Sequence, residues 1–198
     1  MLFRSLLPDS PVAMWWPSDP PESPADDPLG QLAQRRITDA AAAVRGKGRA
    51  IHLQCSSYSP GNTDLAWTRI TPWRALLAAA LDQHQPKVTG GSVTAERISP
   101  SAELLVAWLS DRLKVPIGRK NSRGPGITES RLETKDGPIL ISRRDGRLAT
   151  FTSPGRPDRP VALKRRQLPE LLAEELRRLD EDAVYARTAR KLLRLSPA

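Results

Sequence analysis

Cysteine and histidine are scarce in this 198-residue chain, which contains one Cys and two His. The single cysteine, Cys55, cannot form an internal disulfide, so we expect a fold held by packing alone in a reducing compartment such as the cytoplasm. His52 and His84 have no H-x-x-x-H spacing, and with Cys55 they are too few for a zinc site of four ligands. The sequence therefore predicts no metal site.

Long apolar runs are also missing. No run approaches the roughly 20 residues that cross a bilayer, and the first residues lack a basic region followed by a long apolar segment. We therefore expect neither membrane insertion nor export.

The common motifs of catalysis are absent as well. The chain has no G-x-x-x-x-G-K-[ST] phosphate loop, no G-x-G-x-x-G after a strand and no G-x-S-x-G nucleophile elbow. The carboxylate pairs Asp26-Asp27 and Glu174-Glu175 are interpreted as ordinary surface acids, because adjacent residues point apart and do not share a proton. Cys55 has no adjacent basic residue to activate it, which favours a plain buried cysteine over a reactive thiol. We therefore expect no enzyme activity and no cofactor.

Basic residues are abundant and unevenly placed. The net charge is +9, and 19 of the 31 Lys and Arg residues follow residue 117, against 11 of the 22 Asp and Glu residues. A clustered positive field attracts any polyanion, so the charge alone leaves nucleic acid and an acidic protein surface both open.

In the first 84 residues, apolar spacing and breaking residues predict one strand and three helices. Asp27 is a suitable cap and Pro28 a suitable first residue for the first helix, while Thr63 is a cap for the third and Pro72 predicts a kink or restart within it. The predicted elements are a strand over 11–16, a loop over 17–28, and helices over 28–44, 49–58 and 63–83.

From residue 85 onward, short alternating runs dominate. The pairs Asp136-Gly137 and Asp145-Gly146 are typical of hairpin turns, since glycine adopts the positive φ that such turns require. Residues 118–126 are interpreted as a mobile basic loop. The predicted elements are a strand over 88–98, a helix from 100 to 115, a four-strand meander whose strands begin near 127, 138, 147 and 159, and a helix over 168–195.

Tryptophan and arginine are interleaved in the N-terminal part of the chain, where four of the five tryptophans lie within the first 73 residues. These residue types dominate protein interfaces because they combine a large contact area with directional donors. Trp73 shares a helical face with leucines, which favours the core, whereas Trp67 lies off that face. Arg69 and Arg74 either pair internally with Asp64 or Asp39 or present their guanidinium groups to a partner.

The order and spacing of several blocks resemble a known family. Trp15-Trp16-Pro17, residues 25–30 leading to 34–39, residues 60–69 and Trp73-Arg74 are similar to signature blocks of the OpcA family of glucose-6-phosphate dehydrogenase assembly proteins. Residues 99–105, the basic meander and residues 171–180 extend the resemblance over nearly the whole chain.

The resemblance implies a non-catalytic actinobacterial or cyanobacterial protein that binds glucose-6-phosphate dehydrogenase and activates it allosterically, supporting NADPH production in the pentose phosphate pathway. It implies an α/β fold with a Rossmann-like N-terminal remnant and helices over 1–84, then an α/β part over 85–198 with an antiparallel meander and a C-terminal helix. The implied partner-binding residues are Trp15, Trp16, Arg35, Arg36, Asp39, Asp64, Trp67, Arg69, Trp73 and Arg74.

The chain also departs from the family pattern. Family members carry further chain before the segment similar to residues 6–8, so we expect this sequence to begin inside an N-terminal domain. Asn62 stands where the family usually has aspartate, and residues 49–58 match poorly. Redox control known among cyanobacterial relatives therefore does not transfer to Cys55.

Two other functions remain open from the residues alone. One is an Arg-based phosphate site of a small hydrolase or transferase around Arg35, Arg36 and Arg69, which lacks an accompanying base or nucleophile. The other is a basic nucleic-acid-binding module, in which Phe151 is the single aromatic residue among the basic strands, whereas single-strand binders usually need stacking surfaces. Its basic residues would be Arg119, Lys120, Arg123, Arg143, Arg144, Arg147, Lys164, Arg165 and Arg166.

Overall fold

Strands and helices alternate along the first half of the chain, and a run of antiparallel strands followed by two helices makes up most of the second half. The structure is a computed structural model that describes residues 10–84, 87–143 and 146–195. In these residues the chain forms one sheet of three strands and one of six. The predicted α/β class is confirmed.

The three-stranded sheet is parallel and brings together segments that are distant in sequence. Its strands are β1 (Ala13–Trp15), β2 (Arg35–Thr38) and β3 (Asn62–Asp64), in the order β1–β2–β3. That this sheet is the remnant of a Rossmann-like domain stays a prediction.

The helix predicted over 28–44 is wrong, because its centre is strand β2. Asp27 accepts the backbone N–H groups of Leu29 and Gly30, but the turn that follows is only a 3₁₀ helix at Gly30–Leu32. Residues 35–38 then pair with β1 on one side and β3 on the other, so their backbone groups are satisfied by partners far along the chain. This long-range pairing overrides the local helical pattern.

Three helices of the first half pack beside the sheets. They are α1 (Ala50–Ser56), α2 (Leu65–Arg69) and α3 (Thr71–His84). The helix predicted over 49–58 is confirmed. The long helix predicted over 63–83 is two helices that meet at Ile70, which agrees with the predicted restart near Pro72. Pro72 lies in the first turn of α3, where its missing N–H leaves no hydrogen bond unmade.

The six-stranded sheet is mixed. Its order is β5–β4–β6–β7–β8–β9, and only the β4–β5 pair is parallel. The strands are β4 (Val88–Ala95), β5 (Ile117–Asn121), β6 (Ile127–Thr134), β7 (Ile139–Ser142), β8 (Leu148–Thr152) and β9 (Arg159–Ala162). The parallel pair is joined by helix α4 (Pro100–Leu113), as a parallel connection requires.

The antiparallel meander and helix α4 are therefore confirmed. Gly137 has a φ of +122° at the turn after Asp136, as predicted, while Asp145 lies outside the described residues. The mobile loop predicted over 118–126 is wrong in its first half, because residues up to Asn121 belong to β5. Pairing with β4 decides this, since the local sequence is too polar to predict a strand.

The chain ends in two helices instead of the single helix predicted over 168–195. They are α5 (Leu168–Glu175) and α6 (Ala183–Leu195). The carboxylate of Asp182 accepts the backbone N–H groups of Val184 and Tyr185, so a new helix begins there. No helix among the described residues has the length and apolar character needed to cross a membrane.

The apolar core consists of one large and one small cluster. The large cluster joins residues of α1, α3, α4 and α6 to the inner face of the six-stranded sheet and includes Trp73, as predicted. The small cluster holds Ile37, Leu65 and Leu171, with Trp15 packed against it. The small cluster therefore fastens the parallel sheet to the C-terminal helix α5.

Candidate functional site

Asp64 lies at the centre of the predicted site and is completely buried. Its carboxylate accepts the Thr38 hydroxyl at 2.6 Å, the Ala40 N–H at 2.9 Å and, as the cap of α2, the Ala66 N–H at 2.8 Å. Burial raises the pKa of Asp64, although these hydrogen bonds act in the opposite direction. Asp64 therefore joins β2, β3 and α2 and presents no open oxygen to a partner.

Asp39 and Arg69 form a bidentate ion pair. The two guanidinium nitrogens of Arg69 lie 2.6 and 2.7 Å from the two carboxylate oxygens of Asp39. The Asp39 side chain is 4% exposed and that of Arg69 is 29% exposed. Burial alone would lower the pKa of Arg69, but the hydrogen bonds and charge of Asp39 raise it. The sequence left open whether Arg69 pairs with Asp64 or Asp39 or faces a partner. The structure shows the internal ion pair with Asp39.

Arg35 is buried and pairs with a residue near the other end of the chain. Its guanidinium lies 2.5 Å from Glu175 and also donates to the Asp180 carbonyl at 3.1 Å. Glu175 accepts the Thr68 hydroxyl as well. The interpretation of Glu175 as a surface acid is therefore wrong: adjacent Glu174 points outward to Arg166, while Glu175 faces inward.

Trp67 is buried among residues from the C-terminal helix. Its indole N–H donates to Asp182 at 2.7 Å, and its ring lies 5.6 Å from that of Tyr185. The guanidinium of Arg74 lies 3.6 Å from the ring centre, a cation–π contact. Burial lowers the pKa of Arg74 to about 10, with Asp182 and Glu175 opposing the change, so Arg74 is charged at neutral pH.

Trp15, Trp16 and Arg36 lie at the first two strands of the parallel sheet and make contacts of their own. Arg36 donates to Asn62 at 2.6 Å, to the Ala33 carbonyl at 2.7 Å, and to the Gly30 and Pro60 carbonyls. Trp15 packs on the small apolar cluster, and Trp16 is half-buried. Arg36 and Trp16 therefore contact the segment around Gly30, whereas Trp15 contacts the small apolar cluster.

The structure thus gathers six of the ten predicted residues around helix α2 into a set that we call the interior network. Trp15, Trp16 and Arg36 lie apart from it, and Trp73 belongs to the main core. The interior network consists of Arg35, Asp39, Asp64, Trp67, Arg69, Arg74, Glu175 and Asp182. Sequence reasoning missed Glu175 and Asp182. For Asp182 the available signal was an acidic residue directly ahead of a helix, whereas Glu175 is the last residue of α5 and had no local signal.

The positions of the arginines can be compared with the phosphate site considered from the sequence. Arg35, Arg36 and Arg69 use their donors on separate acceptors, so they do not form the phosphate site considered for a hydrolase or transferase.

His52 lies 2.6 Å from Glu103. Within the described ranges, no group of three His, Cys, Asp or Glu side chains is placed to hold a metal ion. Cys55 is buried, and burial raises the pKa of its thiol.

The nucleic-acid alternative gains no support from the basic strands. Arg119 and Arg143 donate to backbone carbonyls within the protein. Phe151 is 3% exposed and is covered by Arg159, whose guanidinium lies 4.7 Å from the ring centre. A buried ring offers no stacking surface for a base. Arg144 lies outside the described residues.

These contacts define a mixed α/β protein whose arginine, carboxylate and indole groups tie its N-terminal segment to its C-terminal helices. Two models of the glucose-6-phosphate dehydrogenase subunit family match the chain: that of the N-terminal domain over residues 3–55 and that of the C-terminal domain over residues 60–189. The chain belongs to this family, the OpcA family, which confirms the resemblance. No curated protein matches the chain.

The two family segments are closely interleaved in space. Strand β2 from the first segment pairs with β3 from the second, and Arg35 of the first pairs with Glu175 of the second. The domain division predicted after residue 84 stays a prediction.

Proposed function

We propose that this chain is a non-catalytic accessory protein that binds glucose-6-phosphate dehydrogenase in the cytoplasm and raises its activity, thereby supporting NADPH supply. The observation that carries the proposal is the match of the two family models to residues 3–55 and 60–189. An effector needs only to bind the active conformation of its partner more tightly than the inactive one. A coupling of about 1–3 kcal/mol gives several-fold to hundredfold activation.

The interior network supports a structural role for most of the predicted partner-binding residues. Asp64 and Trp67 are buried, and buried Arg35 donates to the Asp180 carbonyl as well as to Glu175. In the proposal these side chains hold the parallel sheet and the C-terminal helices in one fixed arrangement. These buried side chains therefore affect partner binding by holding the protein surface in its shape. Direct contact with the dehydrogenase is assigned to exposed residues nearby.

We assign the direct contact to the surface around the 3₁₀ turn, which we call the Trp16 face. Leu29 and Leu32 are each 45% exposed there, and the half-buried ring of Trp16 lies against Gly30. A Cβ on Gly30 would stand 1.8 Å from the Pro24 carbonyl oxygen, so the close packing of this turn requires glycine. Exposed leucines beside a half-buried indole give an apolar surface that a protein partner can cover.

The experiment is an activity assay of the dehydrogenase from the same host with and without the purified chain. The chain alone should oxidise no sugar phosphate, and its addition should raise the dehydrogenase rate several-fold with a saturable dependence on concentration. A rate that stays unchanged while the chain fails to co-purify with the enzyme would contradict the proposal.

A matched pair of leucine variants tests the Trp16 face. Leu32→Ser should weaken the association, measured as the chain concentration giving half-maximal activation, by roughly tenfold. Leu148→Ser changes a leucine that is also exposed, on β8 of the other sheet, and should leave that concentration unchanged. Equal effects of the two substitutions would remove the Trp16 face from the proposal while leaving the association itself intact.

A further inference from the structure

A cleft of about 620 Å³ opens where the start of α3, the start of α4 and the segment after β9 meet. Its wall is strongly basic. The basic residues that line it are Lys47, Arg69, Arg97, Arg143, Lys164, Arg165 and Arg166. Among the described lining residues Glu96 is the single carboxylate, so the cleft has a large excess of positive charge.

Three of these cations are not neutralised by the protein. Lys47, Arg97 and Arg165 form no ion pair with any residue in the described part of the chain. They are exposed, so their side chains are available to a molecule that enters the cleft. Gathering unpaired cations in a concave surface raises the local positive potential and attracts an anion.

Arg166 adds a partly desolvated positive charge to the wall of the cleft. Its two terminal nitrogens bind Glu174 and the Thr68 carbonyl, but its Nε is buried and has no hydrogen-bond partner in the described residues. Burial lowers the pKa of Arg166, although Glu170 and Glu175 act in the opposite direction. An anion in the cleft would offset this desolvation.

The N-terminus of α4 forms part of the same wall. Ser99, Pro100 and Ser101 line the cleft. Ser99 occupies the cap position without a side-chain capping hydrogen bond, Pro100 has no N–H, and the Ser101 hydroxyl donates to the Ala66 carbonyl. The helix end therefore adds the positive end of its dipole to the wall, with few free N–H donors.

Gly126 gives Arg165 the room to approach this wall. The residue has a φ of +62°, and a Cβ built on it would lie 2.9 Å from a terminal nitrogen of Arg165. The positive φ therefore favours glycine at this position.

We propose that this cleft binds a small phosphorylated molecule. Its volume lies in the range of small-molecule sites, and its wall combines guanidinium groups, an ammonium group and the positive end of a helix dipole. A nucleic-acid strand is a poorer fit, because the aromatic residue of the wall, Trp73, is 2% exposed and lies beneath Arg143. The proposal does not rest on association with the dehydrogenase, since it concerns binding to this chain alone.

The test is calorimetric titration of the full chain with inorganic pyrophosphate at ionic strength held constant with potassium chloride. One saturable site is expected. Arg97→Gln and Arg165→Gln should each raise the dissociation constant roughly tenfold, since each removes a charge-assisted contact. Both residues are exposed and unpaired among the described residues, so thermal unfolding without pyrophosphate should be unchanged by either substitution.

Two further variants distinguish a specific pyrophosphate site from an effect of net charge on pyrophosphate binding. Arg156→Gln removes an exposed arginine that does not line the cleft and should leave the dissociation constant unchanged. Glu96→Gln removes the opposing carboxylate and should tighten binding several-fold, which damage to the fold would not do.

Three outcomes would overturn the proposal. The first is an absence of saturable pyrophosphate binding to the wild-type chain. The second is equal weakening by Arg97→Gln, Arg165→Gln and Arg156→Gln, which would indicate an unspecific response to net charge. The third is displacement of pyrophosphate by a short single-stranded DNA at lower concentration than pyrophosphate itself requires, which would assign the cleft to nucleic acid.

Discussion

The guanidinium of Arg35 lies 2.5 Å from the carboxylate of Glu175, and both side chains are buried. The pair joins β2 near the start of the chain to the last residue of α5. It also joins the two segments matched by the N-terminal and C-terminal family models. The two segments of the chain therefore depend on each other for stability.

Removing one member of this pair should be strongly destabilising. Glu175→Gln should lower the free energy of unfolding by about 3 kcal/mol, because Arg35 would stay buried without its counter-charge. Urea unfolding monitored by circular dichroism measures this change. Arg187→Gln breaks the exposed pair with Asp111 and should cost about 0–1 kcal/mol. A loss no larger for Glu175→Gln than for Arg187→Gln would contradict the assigned role.

Asp182 should stabilise the fold through two contacts. One carboxylate oxygen caps α6, and the other accepts the Trp67 indole N–H. Asp182→Ala should lower the free energy of unfolding by about 2–4 kcal/mol, the loss of a helix cap plus an unsatisfied buried donor. Asp182→Asn keeps an amide oxygen for the cap but turns its NH2 group toward the Trp67 N–H, so it should cost about 1 kcal/mol less than Asp182→Ala, the contribution of the cap. Chemical denaturation followed by tryptophan fluorescence distinguishes the two, and equal losses would exclude the capping role.

Cys55 should be unreactive in the folded chain. Its thiol is buried and burial raises its pKa, so little thiolate is present at pH 8 and a reagent has no access to it. Iodoacetamide should modify Cys55 many times more slowly in the native chain than in guanidinium chloride, as measured by mass spectrometry. Comparable rates in the two conditions would revive the reactive-thiol interpretation.

Asp64 should make stability fall as pH rises. Because its pKa is raised above the ordinary 3.8 on folding, the folded chain holds the proton more tightly than the unfolded chain, and ionisation above that pH costs stability. The unfolding free energy of Asp64→Asn minus that of the wild type should therefore increase as pH rises upward from 3.8. Denaturant titrations at a series of pH values measure it.

Asp111 supplies a control of opposite sign for that experiment. Its pKa is lowered, first by the hydrogen bond from Lys114 and then by the charge of Arg187, so its contribution is present at higher pH and is lost as the carboxylate is protonated. For Asp111→Asn, the same difference should decrease as pH rises. Parallel trends for the two variants would show that net charge, and not burial of Asp64, governs the pH dependence.

Several elements could be predicted because their signals are local. The meander follows from alternating residues and from glycine at turns such as Gly137, where φ is +122°. Helix α4 follows from Ser99-Pro100 and a periodic apolar face. Strand β2 could not be predicted, because its stability comes from pairing with β1 and β3 across distant parts of the chain.

The candidate site, too, could be predicted only in part from the sequence. Arg69 with Asp39 was one of the pairings that the residue types allowed, and the bidentate geometry selected it. The inward direction of Glu175 depends on Arg35, which is 140 positions away in the chain, so adjacent Glu174 gave no indication of it.

The sequence by itself determined the α/β class, the family, and the residue types from which the interior network and the basic cleft are built, because composition, turn residues and short-range spacing act within a few residues. Only the tertiary structure decided which arginines and carboxylates are buried against each other and which cations are left facing an open cleft. Burial and pairing depend on contacts between segments far apart in sequence, and those contacts exist only once the sheets and helices have packed.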